Sequence, residues 1–514
     1  MNRRILHGVA AGAIYTAMAA AVGVVQFCFI VRALRAEMAG LWLLFVAIGS
    51  WVAVFDLGIS PTVGREISFS LGDPELSRAE RVRRIGELLA TLRHLFRAVA
   101  VCAGLACVGL GEAIIFFGSR YRGNPAVGWA WLIFSAGIAL NLLGGAALAG
   151  LYGLGEVASE KTIRCAGLLV GLALTLGALR LRCGIAGLAA AWMLQGSLIA
   201  MLAWLRLRHR VPDAFGAGYR PNWTSARAMV SPSIKLASIQ LGAILILQSA
   251  NPLIAILIGT AAIPSYEAAS KIAVTMMTLA LLIVNSSSPF FSMTYAAGDL
   301  AKMTLLLLRN LRLGVGVMVG MAAFVAVNGD RIIAAWLAPS MFAGFPVLWV
   351  LLLMVLLEVH HVIFATGVMA AGRIVFAGPA LLSGVLNILL AIALAGRLGL
   401  LGIALAVAVG QLVTNNWYAP YVAIRFFHLS GAVLVREVWA PMGVLLAGSL
   451  AADYLIRQMP WMAGLGLAPL AASGVLSFAS GAGMWWLLAL RSTERAQIRD
   501  YFGNCLARVK VEHA

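Results

Sequence analysis

Long apolar stretches recur along the whole chain and constrain its fold more than any other feature. About fourteen stretches of roughly 20 apolar residues can be counted, each as long as an α-helix must be to cross a bilayer. Apolar residues make up 62% of the 514 residues and charged residues only 11%, which excludes a soluble globule of this size. The sequence therefore predicts an all-α polytopic membrane protein with about 14 transmembrane helices.

Positive charges favour alternate connecting loops. Most of the 38 Lys and Arg residues fall in one alternating set, which includes residues 78–97, 206–227 and 302–312 and the C-terminal tail. Because cytoplasmic loops carry the excess of Lys and Arg, this bias predicts that both termini are cytoplasmic. The net charge of +18 then reports topology, with membrane lipids as partners of the basic loops and no nucleic acid.

An internal repeat divides most of the chain into two halves. Gly155 matches Gly372, and Gly184 matches Gly399, with offsets of about 215 residues that recur at other sites in the same order. Six spans separate the copies, so both have the same orientation. The repeat predicts two pseudo-symmetric six-helix lobes related by an axis along the membrane normal.

The repeat and the composition together predict five regions. They are an N-lobe of six spans at residues 1–208, a cytoplasmic linker at 209–232, a C-lobe of six spans at 233–425, two further spans at 437–490 and a cytoplasmic amphipathic tail at 491–514. The linker is rich in Gly and Pro. The predicted outer loops are all short, so no extracytoplasmic domain is expected to hold a soluble substrate.

Ionisable residues inside apolar stretches are candidates for function, because a charge in a bilayer is costly. Asp56 lies beside Gly58 where the second span is interrupted, and Glu358, His360 and His361 lie in the tenth span. For Asp56 and Glu358, a proton or cation site and a structural partner for a neighbouring helix are both open. Glu358 and His361 are also spaced to satisfy each other.

Further pairs and neutral groups complete the candidates. Lys271 follows Glu267 by one helical turn, which fits either a local ion pair or an ammonium directed at an anionic headgroup. Asp453 and Arg457 have the same spacing and predict a local pair. Neutral polar residues that suit interhelical hydrogen bonds or hydroxyl-rich cargo include Asn251, Gln248, Asn285, Asn387, Gln411 and Asn415. Six cysteines without a CxxC spacing predict no disulfide framework and no metal site, and no cofactor is expected.

Several motifs carry a family resemblance. They are Ala39-Gly40-Leu41-Trp42, Asp56-Leu57-Gly58 with Arg65-Glu66, Tyr266-Glu267-Ala-Ala-Ser-Lys271, Ser288-Pro289, Gly329-Asp330-Arg-Ile-Ile-Ala-Ala-Trp336 and Ala371-Gly372-Arg373. Over spans one to twelve the chain resembles the Wzx-type, RfbX-like polysaccharide flippases of the multidrug/oligosaccharidyl-lipid/polysaccharide (MOP) exporter superfamily. Ala39-Gly40 replaces the tyrosine that is usual in the first loop of that family.

The resemblance implies a two-lobed bundle in the bacterial cytoplasmic (inner) membrane. It implies a carrier and not an enzyme, one that moves undecaprenyl-diphosphate-linked oligosaccharide to the periplasmic leaflet by alternating access. We expect this movement to be coupled to an ion because of the acidic residues inside the spans. The product pathway would be a surface polysaccharide such as O-antigen or exopolysaccharide, with polymerase or export machinery as partners. Fourteen spans resemble the lipid II flippase branch, but the arginine-rich first helix of that branch is absent.

This hypothesis assigns two groups of residues. The substrate-binding set is Lys271, Arg65, Asn251, Gln248 and Asn285, and the ion-coupling set is Asp56, Glu358, His360 and Glu267. The first alternative is a multidrug and toxin extrusion (MATE) antiporter of the same superfamily, for which acids should outnumber bases among the intramembrane residues. The second is a membrane-embedded polysaccharide polymerase or polyprenyl-sugar transferase, which would need long outer loops.

Overall fold

The structure is a computed structural model of the chain. It describes residues 3–52, 55, 59–73, 75–116, 121, 123–216, 218–222, 227, 237–373, 375–462, 466–488 and 495, and their regular secondary structure is entirely helical. The helices form two compact units. Unit 1 comprises Met1–Glu267 and Val375–Thr414, and unit 2 comprises Ala268–Ile374 and Asn415–Ala514.

Unit 1 contains the helices of the N-terminal half and three helical segments from further along the chain. Its helices are α1 (Arg3–Ala33), α2 (Ala36–Val52), α3 (Ile59–Gly72), α4 (Arg78–Gly111), α5 (Pro125–Gly153), α6 (Val157–Arg180), α7 (Gly184–Arg210), α8 (Asp213–Gly216), α9 (Ala237–Leu247), α10 (Ala250–Leu257) and α14 (Ala377–Leu398). A π-helical turn, Glu112–Phe116, extends α4, and a 3₁₀ turn, Thr260–Ala262, follows α10.

Unit 2 is built around one long helix. Its helices are α12 (Leu300–Trp336), α13 (Phe345–Ala370), α16 (Gly431–Leu434), α17 (Ala440–Arg457) and α18 (Leu467–Leu488). The unit boundaries fall within α11 (Ile263–Ala296) and α15 (Leu400–Phe426), whose first parts belong to unit 1. A π-helical turn, Val435–Trp439, joins α16 to α17.

The helices confirm the predicted class of membrane protein. Among the described residues, 11 helices are long and apolar enough to cross a bilayer, or 12 if the bent pair α9–α10 is one span. The shorter α2 and α3 and the long α11 are not in that number, although they occupy the predicted second and eighth spans. The predicted number of fourteen is therefore approximate.

Local sequence explains where several helices begin. Ser77 starts α4 with a capping box, in which its side chain accepts from the Glu80 amide and the Glu80 side chain accepts from the Ser77 amide. Asn124 caps α5 immediately before a proline at the first helical position. Both caps satisfy amide groups that a helix start leaves without partners.

The glycines that the repeat matches share a positive φ. Gly155 and Gly372 have φ of 74° and 78°, and Gly184 and Gly399 have φ of 60° and 56°. Glycine adopts such values without the strain that a side chain adds. Each of these glycines lies at a junction between two helices.

The core of unit 1 is aromatic at one level and close-packed at small residues elsewhere. The rings of Trp42, Phe45, Trp131, Phe134 and Trp192 form a continuous cluster with centroids 4.7–6.3 Å apart. α5 and α7 pack along their length, and the Cβ positions of Gly137 and Gly144 face Met193 and Ala200. Small residues allow the two helices to approach each other closely. Inside a bilayer such packing holds helices together, because lipid tails are as apolar as the helix surface and burial alone gives no driving force.

Unit 1 includes helices that the repeat assigns to the predicted C-lobe. α2 packs against α10 and the turn at Thr260–Ala262, where a Cβ on Gly40 would overlap the Thr260 carbonyl. α10 also packs against α14. The units defined by packing thus have other boundaries than the lobes defined by sequence, and the lobe assignment stays a prediction.

In unit 2, α12 packs against α13, α17 and α18. Gly314 faces Ile363, and Gly316 faces Trp485, whose Nε1 donates to the Arg312 carbonyl at 3.3 Å. The two C-terminal helices are thereby integral to this unit.

Candidate functional site

The seventh predicted span is broken, and buried polar side chains gather at the break in unit 1. α9 and α10 bend by 44° across residues 248–249. Trp51 Nε1 donates to the Gln248 carbonyl at 3.1 Å, and Asn387 Nδ2 donates to the Leu245 carbonyl at 3.1 Å. Backbone groups that a break frees at membrane depth need such partners, so these side chains hold the bend.

Side-chain oxygens lack partners around this break. Asn387 Nδ2 also donates to Ser249 Oγ at 2.9 Å, and Gly410 allows α15 to approach the backbone of Ser383 and Asn387. Buried side-chain oxygens with no hydrogen-bond partner in the described part of this region belong to Ser383, Asn387, Gln411 and Asn251. Neutral oxygens of this kind suit an ordered water or a hard cation.

Asn251 and Glu267, predicted for substrate binding and ion coupling, are in direct contact. Asn251 Nδ2 donates to Glu267 Oε2 at 3.3 Å, and Asn251 is 9% exposed. Gln248, one turn before Asn251, has an exposed side chain. The contact joins the start of α10 to the first turns of α11 through a polar pair.

Glu358, His360 and His361 face different neighbours, although they are close in sequence. His361 is 6% exposed, and its Nδ1 lies 3.0 Å from the Asn415 carbonyl. His360 Nε2 accepts a hydrogen bond from Trp439 Nε1 at 3.0 Å. Glu358 is half-buried, and its Oε2 has no hydrogen-bond partner among the described residues. The three side chains therefore do not form one convergent site.

The contacts of the two histidines define their chemistry. An indole N–H can only donate, so His360 Nε2 carries no proton while it accepts from Trp439. His361 contacts the Asn415 carbonyl of α15, about one turn before Pro420. Pro420 has no N–H, so it cannot bond to the Asn416 carbonyl next to that contact. Each histidine thus links α13 to another helix of unit 2, and protonation of His360 Nε2 would break one link.

Lys271 and Asn285 lie at different levels of α11. At 1.5 Å per residue, they are about 21 Å apart along the helix axis. Lys271 is half-buried and Asn285 is exposed. A single small ligand does not reach both residues, whereas an extended ligand can.

The residues predicted near the second span are only partly described. Arg65 is on α3, where its side chain is 52% exposed, lies 3.8 Å from the Glu66 carboxylate and sits over the Phe69 ring. α3 is held against α5 by close contact of Gly64 with Gly153. Asp56 lies outside the described residues.

Within the described residues, no group of three or more His, Cys, Asp or Glu side chains is placed to hold a metal ion. The oxygens at the α9–α10 break are the groups that could accept a cation. They are neutral, apart from the carboxylate of Glu267.

Solved structures resemble this arrangement of helices over 79–93% of the chain. The lipid II flippase MurJ, in an inward closed conformation, aligns with 93% of this chain and 99% of its own, with a TM-score of 0.68 and 12% identity. An inward-facing multidrug resistance MATE family transporter of the MOP superfamily aligns with 79% of this chain and 93% of its own, with a TM-score of 0.63 and 13% identity. The fold is that of the MOP transporters.

A third solved structure agrees with these two. A MOP superfamily transporter from Pyrococcus furiosus aligns with 84% of this chain and 96% of its own, with a TM-score of 0.56 and 13% identity. No protein-family model and no curated protein matches the sequence. The predicted MOP-type fold class is confirmed.

Two arginines, Arg312 and Arg457, connect α12 to the C-terminal helices, and both differ from their predicted positions or partners. Arg312, counted with a cytoplasmic loop, lies inside α12 with a side chain 5% exposed, 3.1 Å from the Glu437 carboxylate. Arg312 follows other basic residues in the sequence and was therefore assigned to the same loop, although apolar residues of α12 surround it. The predicted loop position of Arg312 was wrong.

The predicted Asp453–Arg457 pair was also wrong. Arg457 reaches across to α12 and forms two parallel hydrogen bonds of 2.8 Å with the Asp330 carboxylate. Asp453 is 1% exposed and faces Ser477 of α18. Helical spacing permits an i,i+4 pair but does not decide between it and a partner on a packed neighbouring helix.

Proposed function

We propose that this protein is a flippase that carries an undecaprenyl-diphosphate-linked oligosaccharide across the bacterial cytoplasmic membrane. It would act by ion-coupled alternating access, in the synthesis of a surface polysaccharide such as O-antigen or exopolysaccharide. The glycan would pass to a polymerase or export machinery. No chemical step on the substrate is part of this proposal.

The observation that carries the proposal is the likeness to a lipid II flippase over most of both chains. MurJ is aligned over 99% of its own length and over 93% of the present chain. The motifs that resemble polysaccharide flippases supply the substrate class, since 12% identity supports the fold alone.

The proposed substrate residues are those that present charge or amide groups inside the spans. Lys271 and Arg65 would attract the diphosphate, because an ammonium and a guanidinium both pair well with phosphate oxygens. Asn251, Gln248 and Asn285 would contact sugar hydroxyl groups. The different levels of Lys271 and Asn285 on α11 favour an extended substrate over a compact one.

The proposed coupling residues are Asp56, Glu358, His360 and Glu267. Glu358 has a buried oxygen without a hydrogen-bond partner among the described residues, so a proton or a cation there would remove an unfavourable buried group. His360 must lose its contact with Trp439 when Nε2 is protonated. Occupancy of either group would then change the packing of α13.

Leaflet accessibility of the lipid-linked oligosaccharide in proteoliposomes tests the proposal. We expect the protein to make an inner-leaflet pool accessible to an outside glycosidase at a rate that protein-free vesicles do not reach. Lys271→Ala should slow that rate about tenfold, the value of one charge-assisted hydrogen bond. Lys302→Ala, which removes an exposed charge in the first turn of α12, is the matched control. Equal rates with and without the protein would refute the proposal.

The alternative function is that of a MATE-type antiporter, because a MATE family transporter shares the fold with a TM-score of 0.63. It predicts uptake of organic cations that depends on an opposing H⁺ or Na⁺ gradient. The same proteoliposomes, loaded with a fluorescent organic cation, separate the two functions. Cation exchange without movement of lipid-linked sugar would favour the antiporter.

A further inference from the structure

A pocket of about 280 Å³ lies on unit 1 where α4, α5, α7 and α8 meet. Two guanidinium groups, Arg93 and Arg97, line it together with the rings of Phe96, Trp204 and Phe215. None of these residues belongs to the proposed substrate or coupling sets. The pocket is therefore separate from the residues proposed for transport.

The structure describes no carboxylate among the residues that line this pocket. Arg93 and Arg97 are four residues apart on α4, so the two like charges are neighbours on one helix face, an arrangement that destabilises an isolated helix. Neither arginine has a carboxylate ion pair within the described residues, and Arg93 Nε is buried without a hydrogen-bond partner. An anion in the pocket would relieve both conditions.

The walls of the pocket are fixed by specific contacts. The Arg93 guanidinium lies 5.3 Å from the centroid of the Phe215 ring, and Phe215 meets Trp204 edge-on at 6.2 Å. Trp204 Nε1 donates to the Leu143 carbonyl at 3.2 Å, which orients the indole. Arg93 is thus held against an aromatic face, and its planar guanidinium carries several N–H donors.

The segment after α7 holds Phe215 in place by docking on α4. The Asn222 amide donates to Thr91 Oγ1 at 2.9 Å, and Asn222 Nδ2 donates to Glu87 Oε2 at 3.2 Å. Tyr219 lies on Gly86, where any Cβ would overlap its ring. The pocket is therefore built by the fold and does not depend on a chance position of surface side chains.

The same face of α4 changes from cationic to aliphatic within one turn. Val101 and Leu105 continue the four-residue spacing of Arg93 and Arg97, and they are 62% and 69% exposed. In a membrane helix, exposed aliphatic side chains contact lipid chains, and arginines beside a tryptophan mark the interface. The face thus offers a place for a phosphate directly beside a place for an acyl chain.

We propose that this pocket binds the phosphate of a lipid headgroup, with the lipid chain lying along Val101 and Leu105. The two arginines would bind the phosphate oxygens through charge-assisted hydrogen bonds, since one guanidinium can donate two parallel N–H bonds to a phosphate. The lipid is either an anionic phospholipid of the bilayer or a polyprenyl phosphate. The site does not depend on what the protein transports.

Native mass spectrometry of the delipidated full-length protein tests the proposal. The probes are phosphatidylglycerol, undecaprenyl phosphate, phosphatidylcholine and inorganic phosphate. We expect phosphatidylglycerol or undecaprenyl phosphate to bind at least tenfold more tightly than phosphatidylcholine or inorganic phosphate, and the tighter of the two identifies the source. Binding of inorganic phosphate alone would overturn the lipid assignment.

Variants separate the site from the overall positive charge. Arg93→Gln/Arg97→Gln should weaken lipid binding at least tenfold, whereas Arg180→Gln/Arg208→Gln removes the same charge from exposed positions and should leave it within twofold. Arg93→Lys/Arg97→Lys should give an intermediate affinity because lysine lacks the bidentate geometry. If the double variant does not fold, Arg97→Gln alone, at an exposed residue, should still weaken binding about threefold. Unchanged lipid binding in the Arg93→Gln/Arg97→Gln and Arg97→Gln variants would refute the site.

Discussion

Asn387 shows how one buried amide can hold a broken helix. Its Nδ2 bonds both to the Leu245 carbonyl and to Ser249 Oγ, and the residue is 1% exposed. In hydrocarbon no water can bond to a free carbonyl, so the Asn387 amide and the Ser249 hydroxyl, which donates to the same carbonyl at 2.6 Å, replace the missing helical donor. The bend of α9–α10 is held by Asn387, Ser249 and Trp51.

Asn387→Ala is expected to destabilise the protein. It removes the hydrogen bonds to the Leu245 carbonyl and to Ser249 Oγ, each worth about 0.5–1.5 kcal/mol net, while Ser249 Oγ still donates to that carbonyl at 2.6 Å. The melting temperature in detergent measures the effect. Asn285→Ala, at an exposed position, serves as the control and should change stability by less than about 0.5 kcal/mol. Equal melting temperatures for Asn387→Ala and wild type would show that the bend does not need the amide.

Glu156, in the turn between α5 and α6, provides a pH-dependent contact. Burial by itself would raise the pKa of Glu156, but hydrogen bonds from Ser159 and Arg206 and the charge of Arg210 outweigh it and hold the pKa below the ordinary 4.5. Arg206 and Arg210 lie 2.8 and 2.9 Å from its carboxylate. The carboxylate therefore ties the turn to the end of α7.

The stability that Glu156 contributes is expected to disappear in acid. A pKa that folding lowers means that the contribution is complete above the ordinary pKa of 4.5 and is lost as the pH falls below it. Glu156→Gln should lower the melting temperature at pH 7, and its difference from wild type should shrink steadily as the pH falls below 4.5. The effect should stay below about 1 kcal/mol because the two arginines are 41% and 45% exposed. A difference that grows on acidification would contradict this assignment.

At the scale of elements, α12 is fastened to the C-terminal helices at two levels. The two C-terminal helices, α17 and α18, form a helical hairpin. Arg312 pairs with Glu437 just before α17, and Arg457, at the end of α17, pairs with Asp330. Trp485 of α18 adds a hydrogen bond to the Arg312 carbonyl. Two pairs far apart along one helix fix both the position and the rotation of the hairpin, which small-residue packing alone leaves free to slide.

A double-mutant cycle on Arg457 and Asp330 should reveal this fastening. We expect a coupling free energy of about 1–3 kcal/mol from Arg457→Met, Asp330→Leu and the double variant, because the pair is bidentate and partly buried. Thermal unfolding measures the three differences. The Arg65–Glu66 pair is the control, since its side chains are 52% and 28% exposed and should couple by less than about 0.5 kcal/mol. Equal coupling in both cycles would argue against a structural role for Arg457.

At the scale of the whole molecule, membrane orientation follows from loop charge. The bias of Lys and Arg predicts that the turn between α6 and α7 is extracytoplasmic and that α8 is cytoplasmic. Cys183 lies in that turn and is exposed. The native thiol thus gives a direct marker for the predicted outer face.

A membrane-impermeant maleimide in spheroplasts is expected to label Cys183 in a chain whose other cysteines are replaced by serine. A second chain, with Asp213→Cys as its sole cysteine, should be labelled only after permeabilisation. Cys183→Ser in the first chain removes the signal and controls for other nucleophiles. The reverse pattern of labelling would invert the proposed topology.

The sequence by itself determined the fold class, because apolar runs of spanning length leave the backbone no stable state but helices. It also located the matched helix junctions, since glycine adopts the positive φ of Gly184 and Gly399 without strain. Only the tertiary structure decided which polar side chains meet. It gave Arg457 to Asp330 and not to Asp453, turned His360 and His361 to different helices, and buried Arg312 within α12. The reason is physical: periodicity fixes the face of a helix on which a residue lies, whereas its partner depends on which helix packs there and at what height.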